Sequence, residues 1–460
     1  MQYRKSPYTI TALGVVLCSS IAPAAAYPYN FEIGARQAIT PISGSQVKPF
    51  IITIGPRHVT SCGMTTVPLT QNISAYLVGE APHPANSAQH LSFMAQHADD
   101  GSTNYFMPPS GTPPEHSLAS STPNLSWEIE PVGTSFETPG TINSGRIYIV
   151  DGYLNFYASA GTQIVQPDPH NPSDIASKEI WGFVELTHDK DPSSGVEDMT
   201  VNLSFVDWVS LPLGMDVTFQ DEKGQKTVSI PGMQADGLSN ICKSLSGLDS
   251  FWPKLCVKDS DDNPLRVMSP QVYISLHPND QDVVNYYEPY IDKVWEKYKH
   301  TDLQINTQAS DPDSGGKVDN GRIVTCRVGS TDNILHCDND AGDFDRPVSK
   351  DIYGCNSGPF ANPTSGAESW SRMRVRPRLC AAFVRSTLHL DAPQPSHNVT
   401  SSQYYKENIT NHYARAVHEN LMDGRGYAFS YDDVSPDSTE NSAGLVSITH
   451  PIQLDIFINN

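Results

Sequence analysis

The sequence predicts a mainly β protein: a sandwich or barrel of short strands interrupted by a mixed α/β segment. Two observations carry this. Short strand-forming runs punctuated by turn clusters fill residues 145–231, the pattern of sandwiches and barrels. Helical spacing enters only after residue 266, and strand-like runs return at the C-terminus.

The elements follow in order. Arg4 and Lys5 precede a short apolar run, Ile10–Ala22, and Ala24-Ala25-Ala26 supplies small residues for cleavage. Residues 1–26 therefore read as a secretory leader, with the mature chain starting near Tyr27. The run is too short for a membrane span, so a secreted, extracellular protein is expected. Residues 27–65 form an N-terminal extension with short β segments such as Phe50–Ile54. Residues 66–266 are expected to form the β domain. Within it 81–122, rich in Pro, Ser, His and Gly, read as long loops between few strands;. Arg146–Val150, Leu154–Tyr157, Trp181–Thr187, Val201–Val206 and Met215–Phe219 read as strands.

Residues 267–423 read as an α/β insertion. Ile291, Val294, Trp295 and Tyr298 fall on one helical face of Asp280–Lys299, with Pro289 in the first turns or at a kink;. Ile409, Tyr413, Val417 and Leu421 repeat the spacing in Gln403–Met422, which stops before Gly424;. Residues 424–460 return to the β domain through Gly444–Thr449 and Leu454–Ile458.

Seven cysteines remain after the leader. Pairing neighbours joins Cys242 to Cys256, Cys326 to Cys337 and Cys355 to Cys380, one of roughly fifteen connectivities for six cysteines. Each such loop is worth about 3 kcal/mol in the chain-entropy model. Cys62 is left over. Sequons stand at Asn72, Asn124, Asn202, Asn398 and Asn408, each a potential glycan site in an exported chain. The formal charge of −21 disfavours nucleic acid and anionic lipid and is neutral toward an uncharged polysaccharide. No nucleophile elbow, HExxH, phosphate loop or dinucleotide motif is present;. The acidic run Asp338–Asp343 lacks the order and terminal glutamate of a calcium loop;. Carboxylate chemistry, with no cofactor and no metal, is what remains.

Two stretches could carry it. In Trp181–Thr187, alternation puts Phe183, Glu185 and Thr187 on one face. An aromatic flank disfavours a carboxylate anion, which suits a general acid. From alternation alone, an ordinary exposed strand glutamate is the commoner case. In Val201–Trp208, Asp207 has the parity of Leu203 and Phe205. Either the strand ends at Val206 or a bulge turns Asp207 toward the Glu185 cleft; a strand-capping aspartate is the alternative. Trp208, Tyr427, Phe429 and Tyr431 have rings for stacking on sugars, although such rings are more often core. Asp432-Asp433 either bond hydroxyls or cap a turn.

Glu-Leu-Thr at 185–187, Asn-Leu-Ser-Phe-Val-Asp at 202–207 and Leu-Pro-Leu-Gly-Met at 211–215 resemble the cleft of thaumatin-like proteins. More specifically they resemble glycoside hydrolase family 64, the laminaripentaose-producing β-1,3-glucanases. Ser144–Tyr148, Gln166-Pro167 with Asn171–Asp174, and Gly426–Val434 extend the likeness in order. The resemblance implies a thaumatin-like β-sandwich or barrel and an α/β domain flanking a wide cleft for β-1,3-glucan. It implies Glu185 as general acid and Asp207 as general base of an inverting endo-hydrolase releasing short oligosaccharides, pentaose expected. Inversion goes with carboxyls about 6.5–9.5 Å apart. Thr187, Asn202, Trp208, Tyr427 and Asp432 are the candidate sugar contacts, and a monomer is expected. Val184 stands where the family often has cysteine, and Asp189 where asparagine is common. The competing reading is a non-catalytic β-glucan-binding or antifungal thaumatin-like protein, because fold alone does not fix activity.

Overall fold

Alternation decides the architecture. Along the Ile180–Lys190 strand, Val184 and Leu186 are buried in the main core, while Trp181 and Phe183 are buried in a second cluster. Both faces of this strand are therefore covered over part of its length. The computed structural model describes residues 47–60, 63–65, 72–83, 86–98, 101–106, 125–159, 163–191, 194–308, 321–363, 368–436 and 440–460. The leader, most of the N-terminal extension, Cys62 and the Asn124 sequon lie outside the described residues.

Two sheets enclose the β core. One has the order Gly224–Ile230, Leu213–Asp221, Pro451–Asn459, Ile51–Thr60, Gly63–Thr65, with Thr134–Glu137 also paired to Ile51–Thr60. The other runs Val446–Thr449, Glu197–Leu203, Ile180–Lys190, Ile142–Asp151, Ile73–His83, Asn86–His97, Thr103–Phe106, with Trp127–Glu128 on Ile73–His83. Ile52, Ile54, Val217, Leu454 and Ile456 of the first share a core with Leu77, Ile147, Ile149, Val201 and Leu203 of the second. The C-terminal strands tie the sheets together. Val446–Thr449 pairs with Glu197–Leu203, and Pro451–Asn459 crosses to lie parallel to Ile51–Thr60.

The region read as loops, 81–122, carries more strand than expected. Asn86–His97 and Thr103–Phe106 extend the larger sheet, because Phe93 and Ala95 alternate into the core. Polar residues such as Ser87, Gln89 and Ser92 lie within the Asn86–His97 strand itself, and 107–122 lie outside the described residues.

All α-helices among the described residues lie between Gly237 and Asn420. Glu288–His300 buries Ile291, Val294, Trp295 and Tyr298, with Pro289 in its first turn, where a missing N–H costs nothing. The last helix is shorter than its periodicity predicts. It begins at His412, because the Asn411 side chain accepts from Ala414 N and caps it there;. Ile409 lies before that start. A four-stranded sheet, Leu303–Asn306, Ile323–Val328, Leu335–Cys337 and Gly342–Phe344, accompanies the helices. The three cysteine pairs are those expected: 242–256, 326–337 and 355–380.

One irregularity lies beside the polar end of the larger sheet. Opposite Thr187 the Ile142–Asp151 strand carries an extra residue, and the register shifts between Leu186 and His188. Ser144 there adopts a left-handed φ of 48°. At Gly145 a Cβ would press on the Ile142 side chain and lie 2.9 Å from the Leu186 carbonyl oxygen. Gly145→Ala is therefore expected to cost about 1–3 kcal/mol, the usual range for overpacking. Denaturant unfolding measures it; an unchanged midpoint would show that the bulge yields freely.

Candidate active site

The larger sheet changes character along its outer face. Tyr148 and Phe183 are cross-strand partners, as are Val150 and Trp181, and all four are buried in the second cluster with Trp208. One pair further on, the row becomes polar. Arg146 stands opposite Glu185, and Glu185 opposite Asn202. Beyond it, Thr187 pairs with Thr200, whose Oγ1 lies 3.1 Å from Ser447 Oγ. Rows alternate faces in strict register, so Glu185 sits where an apolar face turns into a polar groove.

Arg146 organises this row. Its Nε and Nη2 donate to Glu185 Oε1 at 3.2 and 3.0 Å, and its Nη1 donates to Gln166 Oε1 at 2.8 Å. Tyr148 Oη donates to the same Gln166 oxygen at 2.5 Å. The guanidinium also lies 4.5 Å from the Phe183 ring centroid, a cation–π distance. The apolar flank read from the sequence beside Glu185 is thus occupied by a cation. Both side chains keep about a third of their surface open, 29% for Arg146 and 33% for Glu185. Solvent therefore screens their attraction.

Asp207 reaches the same groove by a bend. The Glu197–Leu203 strand ends at Leu203, and residues 206–207 form a bend before Trp208 and Val209 pair with Met268 and Val267. The parity difficulty is resolved by strand termination, three residues earlier than Val206, and not by a bulge. Burial pushes the Asp207 carboxyl above the usual aspartate range; Arg146 opposes the rise and Glu185 adds to it.

Two adjoining cavities meet at this point. One, about 410 Å³, is lined by Ser144, Gln166, Thr187, Thr200 and others. The second, about 490 Å³, is lined by Ser204, Asp207, Tyr427, Ser430 and Tyr431 among others. Arg146, Glu185 and Asn202 line both, so the groove continues on either side of Glu185. Asn202 Oδ1 is buried without a protein partner, an acceptor available to a ligand hydroxyl or water. Among the described residues no cluster of three or more His, Cys, Asp or Glu side chains is arranged to hold a metal.

A family model described as glycoside hydrolase family 64, β-1,3-glucanase, matches residues 65–458. The chain belongs to this family. The glucan endo-1,3-β-glucosidases of Cellulosimicrobium cellulans and of Arthrobacter sp. (strain YCWD3) are each 26% identical over 294 residues, 63% of this chain. The chain spans about half the length of these curated relatives, 48% in each case. A laminaripentaose-producing β-1,3-glucanase solved with laminaritetraose superposes with a TM-score of 0.68 at 23% identity, over 89% of this chain and 98% of that one. A family 64 β-1,3-glucanase domain from Clostridium beijerinckii gives 0.61 at 17% identity, over 92% and 100%. At such identities the likeness is one of fold.

Against this family 64 groove, Glu185, Asp207, Thr187, Asn202 and Tyr427 all line the cavities. Trp208 does not. It is buried, its ring 4.6 Å from Trp181 and edge-on to it, and its Nε1 donates to the Trp181 carbonyl. It belongs to the second hydrophobic cluster. Asp432 is also turned away. It is wholly buried, bonded to Arg385 at 2.9 Å and His418 at 3.0 Å, and it accepts from Ala428 N. The arginine and histidine hold its carboxyl below the usual range against the burial that raises it. Its neighbour Asp433 faces outward and accepts from Tyr427 Oη at 2.9 Å, which orients a groove wall. Arg146 and Gln166 are the residues that reasoning from carboxylates and rings passed over. Their signal was their place in two of the resembling segments, Ser144–Tyr148 and Gln166-Pro167.

Asp432→Ala leaves Arg385 buried without its anion, a loss of about 3–5 kcal/mol for a broken buried pair. Thermal or denaturant unfolding should register that loss. A variant with weakened glucan binding and unchanged stability would restore Asp432 as a sugar contact.

Proposed function

We propose that this chain is an exported endo-acting β-1,3-glucan hydrolase that works with inversion and without a cofactor. The observation that carries the proposal is the meeting of Glu185 and Asp207, from different chain segments, in one groove that continues on either side of Glu185. That continuation supports internal cleavage, because a chain can lie across the site. The polar lining supports a neutral, hydroxyl-rich ligand. The leader-like first 26 residues support export. Short laminari-oligosaccharides, pentaose among them, are the proposed products, by likeness to the family.

In the proposed mechanism Glu185 protonates the departing glycosidic oxygen. Arg146 engages only Oε1, so Oε2 carries the proton to be delivered. Asp207 takes a proton from the attacking water on the opposite face of the sugar. A base acts only when ionised, and a higher pKa makes it stronger once it is. The burial of Asp207 therefore serves the role assigned to it. Asn202 and Tyr427 hold hydroxyls near the scissile bond, and Thr187 does so further along the groove.

Protein recovered from culture medium, with its N-terminus near Tyr27, should release reducing sugar from curdlan. Glu185→Gln and Asp207→Asn should each lower that rate by at least about 100-fold, the scale of general acid or base catalysis. NMR of fresh product should show the α anomer first. Retained β product rules out inversion, and full binding with no release in the wild type would favour the non-catalytic reading.

A second expectation concerns pH. Because the base must be ionised, activity falls as pH drops through the Asp207 pKa, which stands above the ordinary aspartate value of about 3.9;. Arg146 holds that pKa down. Arg146→Met should therefore move the acidic limb of kcat/KM to higher pH. A limb that stays in place would separate it from Asp207.

A further inference from the structure

The bend that presents Asp207 is held by three separate parts of the chain. Phe205 N donates to the Tyr427 carbonyl at 2.8 Å, and Ser269 N donates to the Asp207 carbonyl at 2.8 Å. The third contact is the only one of these made by a side chain. Tyr413, buried at 0% exposure on the His412–Asn420 helix, donates its Oη to the Phe205 carbonyl at 2.5 Å. Phe205 is itself buried, which limits the water that could replace that donor. The helix is fixed at this end by its Asn411 cap.

We propose that Tyr413 is a positioning residue: its hydroxyl fixes the 204–207 bend and so aims the Asp207 carboxylate into the groove. This gives the helical segment a part in catalysis beyond its own packing. The inference rests on the reading of Asp207 as base. It follows from geometry: a backbone carbonyl two residues before the carboxylate is pinned by a donor with no freedom of its own. A displacement of about 1 Å at a working group can cost as much as 100-fold in rate.

The groups that face Asp207 are Arg146 and Glu185 from the sheet, Tyr148 beneath them and Tyr413 from the helix. Arg146 and Glu185 are anchored independently of Tyr413, so loosening the bend changes chiefly the solvation of Asp207.

The test is Tyr413→Phe, which deletes one hydroxyl. The expected result is a fall in kcat on laminarin of about ten- to a hundredfold, with KM within about twofold. The acidic limb of the pH profile should move to lower pH, because a freer Asp207 is better solvated. Tyr298→Phe is the matched control. Tyr298 Oη donates to the Leu388 carbonyl at 2.6 Å, again from a buried helical tyrosine, and neither residue lines the groove. It should lose comparable stability and keep kcat and the pH limb. Equal losses in both variants, or wild-type kcat and limb in Tyr413→Phe, would overturn the proposal. If Tyr413→Phe does not fold, Asn411→Ala decides: kcat should fall and be restored in Asn411→Asp, whereas wild-type kcat overturns the idea. Wild-type activity in Asp207→Asn would instead remove the base assignment itself, an outcome distinct from failure of the positioning role.

Discussion

The contact between Arg146 and Glu185 is the constraint around which the site is arranged. It stands at the row where the outer face of the larger sheet stops being apolar. On one side of that row, Tyr148, Phe183, Trp181 and Trp208 fill a dry cluster. On the other, Thr187, Thr200 and Ser447 are polar. A lone carboxylate at such a border would lack a partner on its apolar side, and burying an unpaired charge is costly. Arg146 supplies the partner, covering Phe183 with its flat face and meeting Glu185 with its edge. Lysine offers no planar fork to do both.

The same economy extends into the neighbouring loop. Gln166 accepts from both Arg146 and Tyr148, so the loop that follows it must be held in place. Arg266 does this from within the protein, donating to the carbonyls of Pro169, Ala176, Ser177 and Glu179. Burial lowers its pKa to about 10, still far above neutrality, so it remains a cation at working pH. Arg266 lies on the strand Pro264–Met268 that pairs with Trp208 and Val209. One short strand thus braces the Gln166 loop on one side and the segment leaving Asp207 on the other. Both carboxylates are tied to a common frame.

How legible this was depended on the range of the determining contacts. Glu185 was readable because strand alternation is local: Phe183, Glu185 and Thr187 do share a face. The bend at Asp207 was not, since Ser269, Tyr413 and Tyr427 fix it from distant parts of the chain. Trp208 and Asp432 were misplaced for a related reason. A ring beside an acid, or a pair of aspartates, does not reveal which member turns inward; only Arg385 and His418 settle that Asp432 does. The helix Trp370–Val384 escaped notice because it is buried on most sides, from Val375 through Val384, and contains Pro377. Helical spacing shows only when one face is left to water. The three cysteine pairs followed proximity in sequence, which succeeded because each closes within a local substructure.

On the proposed mechanism, the names acid and base belong to the groove with sugar in it. In the free protein, burial raises the Asp207 pKa, Arg146 opposes the rise and Glu185 adds to it. Arg146 acts on both at once, by hydrogen bonds to one and by charge on the other. On the proposed mechanism a bound glucan adds a third participant: its glycosidic oxygen accepts the proton from Glu185, and its bulk excludes the water that screens the Arg146 contact. Excluding that water strengthens every charge interaction left inside. The same exclusion deepens the burial that already raises Asp207, and Arg146 is the charge that opposes that rise. The arginine that partners Glu185 in the empty groove is therefore also the group that limits how far burial lifts Asp207.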